Sequence, residues 1–160
     1  VYGTKEFLPY LKQSGEGHII NTSSIFGLTS QPTQSAYNSS KFAVRGFTES
    51  LRQELDIENC GVSALCVHPG GIRTNIANDA RLSDSMKKIG MNPEKSIKSF
   101  NKLMRKPAVE ASQEILDAVL KNNRRLLIGG DAVTVDLMQR ILPTGYQKIV
   151  TIATKLSKRF

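Results

Sequence analysis

A tyrosine, a lysine and a serine stand at spacings that suit proton transfer to an oxygen atom. Tyr37 and Lys41 are four residues apart in a helical segment, so both side chains project from one helix face. A lysine cation one turn away favours the phenolate, which can exchange a proton with an alcohol or carbonyl oxygen near neutral pH. Ser24 lies 13 residues before Tyr37, and its hydroxyl can hydrogen-bond the same oxygen and hold the reacting carbon in place.

The surroundings of this trio make it more specific than the Tyr-x-x-x-Lys pattern, which often arises by chance. As a lone pair it would more often be an exposed tyrosine above a solvated lysine. Here Gly27 follows Ser24 by three residues, and Pro32 precedes Tyr37 by five. A His-Pro-Gly-Gly motif at residues 68–71 also ends a predicted strand. The consistent order of these features favours the chemical interpretation.

Short β-like runs alternate with longer helical runs along the chain, a pattern typical of an α/β fold with a parallel sheet. Because parallel sheets bind ligands at the carboxyl ends of their strands, Ser24 and the motif at 68–71 fall where a site is expected. Residues 76–106 are polar and basic and are predicted to be helical in pieces. The predicted strands are 18–23, 62–67 and 125–129, and the predicted helices are 1–13, 35–59, 107–121, 131–142 and 145–160.

The composition excludes several classes of protein. In a chain of 160 residues, 39% hydrophobic and 22% charged residues argue against disorder, collagen and coiled-coil rods. Two cysteines are too few for a disulfide-stapled mini-domain or a four-cysteine zinc site, and no metal site is expected. No apolar run reaches the length of a membrane span, so we expect a cytoplasmic protein.

The net charge of +8 is concentrated in two blocks, 80–106 and 121–160, which each carry a net charge of +6. Such blocks could attract a phosphate-bearing cofactor, anionic lipid or nucleic acid, although a solvated lysine-rich surface is the plainer interpretation. Aromatic residues make up only 6% and do not interleave with the basic ones, so no nucleic-acid partner is expected. The tail 147–160 combines an apolar helical face with four basic residues, which suits a membrane surface or a subunit interface.

The segments 17–27, 35–44 and 67–74 closely resemble the short-chain dehydrogenase/reductase family, and residues 1–5 are similar to that family's preceding helix. The resemblance covers at least residues 1–76, and 107–130 fit more loosely. It implies an α/β fold: the C-terminal part of a Rossmann-like doubly wound parallel sheet with flanking helices. The implied reaction is hydride transfer between a nicotinamide cofactor, NAD or NADP, and a secondary alcohol or ketone (EC 1.1.1).

The resemblance also implies a role for each residue of the site. Tyr37 would be the general acid/base, and Ser24 would orient and polarise the substrate oxygen. The spacing of 13 residues before Tyr37 selects Ser24 and not the adjacent Ser23. Lys41 would assist Tyr37 and hydrogen-bond the nicotinamide ribose, so both belong to the implied cofactor site. The remaining implied cofactor contacts are Pro69, Gly70 and Ile72 against the nicotinamide, and Thr74 on the carboxamide or pyrophosphate.

Several features of the family are absent from this sequence. Gly15 and Gly17 form a Gly-x-Gly, but Ile20 stands where the third glycine belongs, and the pair precedes a strand instead of following one. The Asn-Ala-Gly motif and the catalytic asparagine are not present either. We therefore expect this chain to be the C-terminal portion of a longer enzyme, inactive on its own.

On this interpretation residues 1–130 are the C-terminal part of one dinucleotide-binding and catalytic domain, and 131–160 are a C-terminal helical extension. Segment 76–106 would be the substrate lid. Its apolar residues suit a lipophilic substrate, although ordinary helix packing explains them equally well. These residues are Met86, Ile89, Met91, Phe100, Leu103 and Met104.

The main alternative is a non-catalytic or truncated binding protein of the same fold, which could associate with a membrane surface through its basic C-terminus. Family resemblance further implies a homo-oligomer in which the Tyr37 helix pairs across a two-fold axis. The substrate, the direction of the reaction and the choice between NAD and NADP stay open at this stage.

Overall fold

The computed structural model describes residues 1–80, 86, 90 and 92–157. A 3₁₀ helix, Ile25–Gly27, lies between β1 and α2. The strands are β1 (Gly17–Thr22), β2 (Val62–Pro69), β3 (Ile72–Arg73), β4 (Lys106–Pro107) and β5 (Arg125–Ile128). The helices are α1 (Tyr2–Ser14), α2 (Ser35–Glu58), α3 (Pro93–Leu103), α4 (Ala108–Leu120), α5 (Gly130–Ile141) and α6 (Tyr146–Ser157).

The main sheet is parallel and has the strand order β1-β2-β5. Thr22 is paired with Val67, and Pro69 is paired with Ile128, so the carboxyl ends of all three strands lie at one edge. Parallel strands joined through helices confirm the predicted α/β class, and the strand that holds Ser23 and Ser24 at its end lies beside the strand that ends in Pro69.

The sheet is covered by helices on both faces, and β2 is buried from Val62 to His68. Alternate residues of β2 point to opposite faces, which creates two hydrophobic clusters. On one face Val62 and Ala64 pack with Ile19 and with residues of α2. On the other face Leu65 and Val67 pack with Ile128 of β5 and with α4. The apolar stripe predicted for residues 35–59 therefore holds α2, the helix that carries Tyr37 and Lys41, against the sheet.

A second, two-stranded ladder was not predicted from the sequence. Ile72 pairs with Lys106, and Arg73 pairs with Pro107, in parallel. These two-residue strands are too short to show a hydrophobic period, and they pair across more than thirty residues. Within the segment between them, α3 confirms one predicted helical piece, whereas 81–85, 87–89 and 91 lie outside the described residues.

Wherever the end is described, the predicted ends of the other elements agree with the structure to within one residue. The exception is β2, which continues to Pro69. Pro107 precedes α4 as its N-cap. Residues 158–160 of the predicted last helix are not among those described. No helix in the described part of the chain is long and apolar enough to cross a membrane.

Candidate active site

Tyr37 and Lys41 lie in the first two turns of α2, and both are partly buried. The Lys41 ammonium donates a hydrogen bond of 3.0 Å to the carbonyl oxygen of Thr22 at the end of β1. It also lies 5.5 Å from the centroid of the Tyr37 ring. Burial lowers the pKa of the Lys41 ammonium below its ordinary value. The pair thus shares one helix face, as the spacing predicts, and is fastened to a strand end.

Ser24 lies at the N-terminus of the 3₁₀ helix and is buried. Its hydroxyl oxygen accepts a hydrogen bond of 3.1 Å from the backbone N–H of Phe26, so the hydroxyl proton can be donated elsewhere. The Phe26 ring in turn packs edge-on against the Tyr37 ring, with 6.2 Å between centroids. Phe26, which the sequence analysis did not single out, therefore connects the serine turn to the tyrosine.

The neighbouring Ser23 is occupied by a structural hydrogen bond. Its hydroxyl donates to the backbone carbonyl of Lys41 at 2.8 Å, and its side chain is almost fully buried. Gly27 packs into the same contact, because a Cβ on Gly27 would lie 2.2 Å from the Ser23 hydroxyl oxygen and 2.8 Å from the Lys41 carbonyl oxygen. Of the two serines, only Ser24 keeps a hydroxyl that is not committed to the backbone of α2.

His68, near the end of β2, supports Ser24 from behind. Its Nδ1 lies 3.0 Å from the carbonyl oxygen of Ser24, and because a carbonyl can only accept, Nδ1 is assigned the proton. Burial is the main cause that lowers the pKa of the His68 imidazole, so the ring is neutral at physiological pH. His68 is therefore a structural residue that binds the backbone of Ser24, a partner that the sequence did not indicate.

The loop between the 3₁₀ helix and α2 is held by two side chains that the sequence analysis missed. The buried Asn38 amide, oriented to satisfy both partners, donates to Gln34 O at 2.7 Å and accepts from Gln31 N at 2.8 Å. The hydroxyl of Tyr146, at the start of α6, accepts a hydrogen bond of 3.1 Å from the backbone N–H of Ser30. No local pattern links Tyr146 to a loop more than one hundred residues earlier.

The predicted cofactor contacts follow one another at the end of β2. Pro69 and Gly70 are partly exposed, and the Gly70 N–H donates to Ile128 O at 2.9 Å, which continues the ladder with β5. Ile72 is partly buried in β3, and Thr74 is exposed beyond it. These residues therefore lie at the end of β2 and in the segment that follows it.

The donors at this edge fit a nicotinamide nucleotide. Lysine has three N–H donors, and Thr22 O takes one of them, so two can reach the hydroxyl groups of a ribose. Gly70 is partly exposed and has no side chain of its own, which lets a flat ring approach the backbone on the side that the Asp131 carboxylate does not cover. The described residues include no cluster of three or more His, Cys, Asp or Glu that could hold a metal ion.

The comparison with protein families matches residues 1–85 to the short chain dehydrogenase profile. Over 151 residues the chain is 44% identical to the putative oxidoreductase SadH of Mycobacterium tuberculosis. The matched residues make up 94% of this chain and 53% of that protein. The chain spans about half the length of the curated relatives it matches.

Solved structures show the same fold. A short-chain dehydrogenase/reductase from Burkholderia phymatum, in complex with NAD, matches with a TM-score of 0.70 and 23% identity. That match covers 88% of this chain and 53% of the other. A short-chain dehydrogenase from Burkholderia cenocepacia, in complex with NADP, matches with a TM-score of 0.64 and 23% identity. That match covers 91% of this chain and 50% of the other.

Proposed function

Because the chain belongs to the short-chain dehydrogenase/reductase family, we propose that it supplies the catalytic half of an oxidoreductase acting on a secondary alcohol or ketone. The observation that carries this proposal is the position of the Lys41 ammonium. It donates to the Thr22 carbonyl oxygen and lies 5.5 Å from the centroid of the Tyr37 ring, and Ser24 follows Thr22 by two residues. A cation held at a phenol beside a buried serine hydroxyl is the arrangement that proton exchange with a substrate oxygen requires.

Each residue of the trio has a separate task in the proposed reaction. The Ser24 hydroxyl donates to the substrate oxygen and thereby fixes the reacting carbon. In the oxidation direction the Tyr37 phenolate takes the hydroxyl proton as hydride leaves the same carbon. In the reduction direction the Tyr37 phenol returns that proton to the carbonyl oxygen. The Lys41 cation, 5.5 Å from the centroid of the Tyr37 ring, assists Tyr37 in both directions.

The proposed cofactor is NAD or NADP, which supplies the hydride acceptor and donor when bound. Lys41 would hold its ribose hydroxyls, and Pro69, Gly70 and Ile72 would face the nicotinamide. Thr74 would hydrogen-bond the carboxamide or the pyrophosphate. One of the similar solved structures is in complex with NAD and another is in complex with NADP. These complexes support a nicotinamide cofactor but do not distinguish NAD from NADP.

The substrate and partners are also proposals. We propose that segment 76–106 covers a lipophilic substrate and that the protein is a homo-oligomer. Two exposed aromatic side chains, Phe7 on α1 and Phe42 on α2, are available for a subunit contact. We further propose peripheral contact between α6 and an anionic membrane, since Lys148 and Lys155 accompany its exposed apolar residues.

The test replaces Tyr37 by phenylalanine in the full-length protein. Oxidation of NADH and NADPH is followed with a panel of ketones, and cofactor binding is measured by calorimetry. We expect Tyr37→Phe to lower kcat by about 10²–10⁴-fold, the usual contribution of general acid–base catalysis, while the cofactor Kd changes little. Tyr10→Phe is the matched control, because Tyr10 is exposed on α1 and far along the chain from the site.

Undiminished turnover in the Tyr37→Phe variant would refute the assignment of Tyr37. A wild-type protein that binds the cofactor but reduces no ketone and oxidises no alcohol would instead favour the non-catalytic binding protein. If Tyr37→Phe lost both cofactor binding and turnover, the loss of turnover would be assigned to cofactor binding and not to proton transfer.

A further inference from the structure

The carboxylate of Asp131 is bound to the turn that follows β2, sixty residues earlier in the chain. Asp131 lies in the first turn of α5, and its Oδ2 accepts a hydrogen bond of 2.6 Å from the backbone N–H of Gly71. Hydrogen bonds from an N–H group to a carboxylate are stronger than those between neutral groups. This contact therefore holds the turn from the side of α5.

Glycines surround the same carboxylate where any side chain would collide with it. A Cβ on Gly70 would lie 2.2 Å from Oδ1 of Asp131, and a Cβ on Gly129 would lie 2.4 Å from that atom. Gly129 also has a φ of 97°, a conformation that favours glycine. The two segments thus meet at backbone distance, with the carboxylate packed flat against Gly70.

The opposite side of the turn is held as well. The carbonyl oxygen of Gly71 accepts hydrogen bonds from the backbone N–H groups of Arg105 and Lys106, at 3.0 and 3.1 Å. Gly71 is buried, and a Cβ there would lie 2.2 Å from the carbonyl oxygen of Leu103. The turn is therefore clamped between the segment that follows α3 and the first turn of α5.

We propose that Asp131 is a positioning residue that fixes the turn of Pro69, Gly70 and Gly71 beneath the nicotinamide ring. The inference rests on the proposed function, because it is the nicotinamide that this turn would contact. The contacts of the Asp131 carboxylate described above are with Gly70, Gly71 and Gly129 and not with the trio of Ser24, Tyr37 and Lys41. Its effect on the reaction passes through the backbone of the turn.

An acidic residue in the first turn of a helix is also favoured by the helix dipole, and this simpler role must be separated from the proposed one. The dipole accounts for a carboxylate near the start of α5. It does not account for the hydrogen bond to Gly71 or for the absence of side chains at Gly70 and Gly129. A helix-dipole role alone would change stability and leave the cofactor site untouched.

The experiment compares two ligands in the full-length protein: the complete cofactor, and the corresponding ADP-ribose, which lacks the nicotinamide. Wild type, Asp131→Asn, Asp131→Ala and the control Asp117→Ala are titrated with both ligands, and kcat and KM are measured. Asp117 is an exposed carboxylate on α4 that accepts a hydrogen bond from Gln113, so its removal deletes the same chemical group away from the turn.

We expect Asp131→Ala to weaken binding of the complete cofactor about tenfold and to lower kcat/KM about a hundredfold, the cost of a misplaced reacting group. The affinity for ADP-ribose should stay within about twofold of wild type, because the turn contacts only the nicotinamide part. Asp131→Asn keeps an oxygen acceptor and should lie between Asp131→Ala and wild type. Asp117→Ala should match wild type.

Equal losses of affinity for both ligands in Asp131→Ala would overturn the inference, since they would indicate general damage to the fold. Unchanged binding of the complete cofactor and unchanged kcat/KM would overturn it too. A wild-type protein that binds neither ligand would remove the proposed function itself, and the inference with it. Wild-type binding and turnover with an unaffected Asp131→Ala would remove the inference alone.

Discussion

The hydroxyl of Ser23 donates to the backbone carbonyl of Lys41 at 2.8 Å and so ties the end of β1 to the second turn of α2. Ser24, one residue further, accepts from Phe26 N–H and has its own proton available. Two adjacent serines of identical chemistry therefore have different tasks. Ser23 holds the helix that carries Lys41, and we propose that Ser24 faces the substrate oxygen.

Exchanging each serine for alanine should separate these tasks. Ser23→Ala should lower the free energy of unfolding by about 1–2 kcal/mol, because a buried hydrogen bond is lost. It should leave kcat within about tenfold of wild type. Ser24→Ala should lower kcat by about 10²–10³-fold, the usual effect of removing one such donor. Urea unfolding and steady-state kinetics on the full-length protein measure both effects. Equal kinetic losses in the two variants would contradict this division.

A methyl group at Gly27 should disturb the same contact. Gly27→Ala would place a Cβ against the Ser23 hydroxyl and the Lys41 carbonyl, and overpacking of this kind costs about 1–3 kcal/mol. Because the Lys41 backbone must shift, kcat should fall as well. Gly46→Ala is the matched control, since Gly46 lies exposed on α2 with nothing within 4 Å of the added Cβ. It should stabilise the protein by up to about 1 kcal/mol. Thermal unfolding that moves both variants in the same direction would argue against this packing.

A double-mutant cycle should detect the contact between Gly70 and Asp131. The three nearest atoms to a Cβ at Gly70 all belong to the Asp131 carboxyl group. Gly70→Ala alone should therefore destabilise the protein by about 1–3 kcal/mol, and by much less when Asp131 is already alanine. Urea unfolding of the wild type, both single variants and the double variant gives the coupling energy. Additive effects would show that the two residues do not touch in solution.

The stability of the protein should fall in acid because of Asp136. Burial on its own would raise the pKa of this carboxyl group, but hydrogen bonds and charge from Arg125 and Arg140 outweigh burial and hold the pKa below its ordinary value. Because the pKa is lowered in the folded state, the ionised carboxylate stabilises the fold at pH values above the ordinary aspartate pKa of about 4. That stabilisation is lost as the pH falls through the lowered pKa.

Asp136→Asn should remove this part of the pH dependence. It should also lower the free energy of unfolding at pH 7 by about 2 kcal/mol, because the partly buried Arg125 guanidinium loses its charged partner. Arg140→Gln should cost less than about 1 kcal/mol, since Arg140 is largely exposed. Denaturant unfolding from pH 3 to 7 tests both. A steep acid transition that persists in Asp136→Asn would assign it to other carboxylates.

Helix α6 should bind anionic vesicles if the proposed membrane contact exists. Ile149, Ile152 and Leu156 are 47%, 58% and 51% exposed, so none of them is needed to fill the core. Co-sedimentation with phosphatidylserine vesicles should be strong at low salt and weak at high salt, where charge attraction is screened. Ile152→Ser and Lys148→Gln should reduce binding. Lys98→Gln, on α3, is the control that should not. Protein that stays entirely in the supernatant at low salt would exclude the contact.

Most of the fold could be predicted from the sequence because its main elements carry clear periodic patterns. The apolar stripe of α2 packs against one face of β2, and the continuous buried run of β2 is typical of a strand covered on both faces, so residues 35–59 were correctly assigned to a helix and 62–67 to a strand. The ladder of β3 and β4 was missed because two residues show no period. The 3₁₀ helix was missed because three residues form it.

The candidate site could also be predicted only in part from the sequence. The spacing of Tyr37 and Lys41 alone predicts a shared helix face, which the structure confirms. Contacts between distant segments leave no local pattern, so the carboxylate of Asp131 and the hydroxyl of Tyr146 could not be assigned to their partners. A partial signal was present in the glycines at 70, 71 and 129, since paired glycines after two neighbouring strands indicate close backbone approach. The roles of Ser24, Tyr37 and Lys41 in catalysis stay predictions.

The short ladder of β3 and β4 has an evolutionary consequence. It joins the two ends of the segment between Arg73 and Lys106 at one base, beside the turn of Gly70 and Gly71. For a closed loop, each doubling of length costs only about 0.6 kcal/mol in closure entropy. Insertions, deletions and exchanges within that segment can therefore accumulate without moving Ser24, Tyr37 or Lys41. On the proposed function, selection can change the substrate while the three proposed catalytic residues are inherited intact.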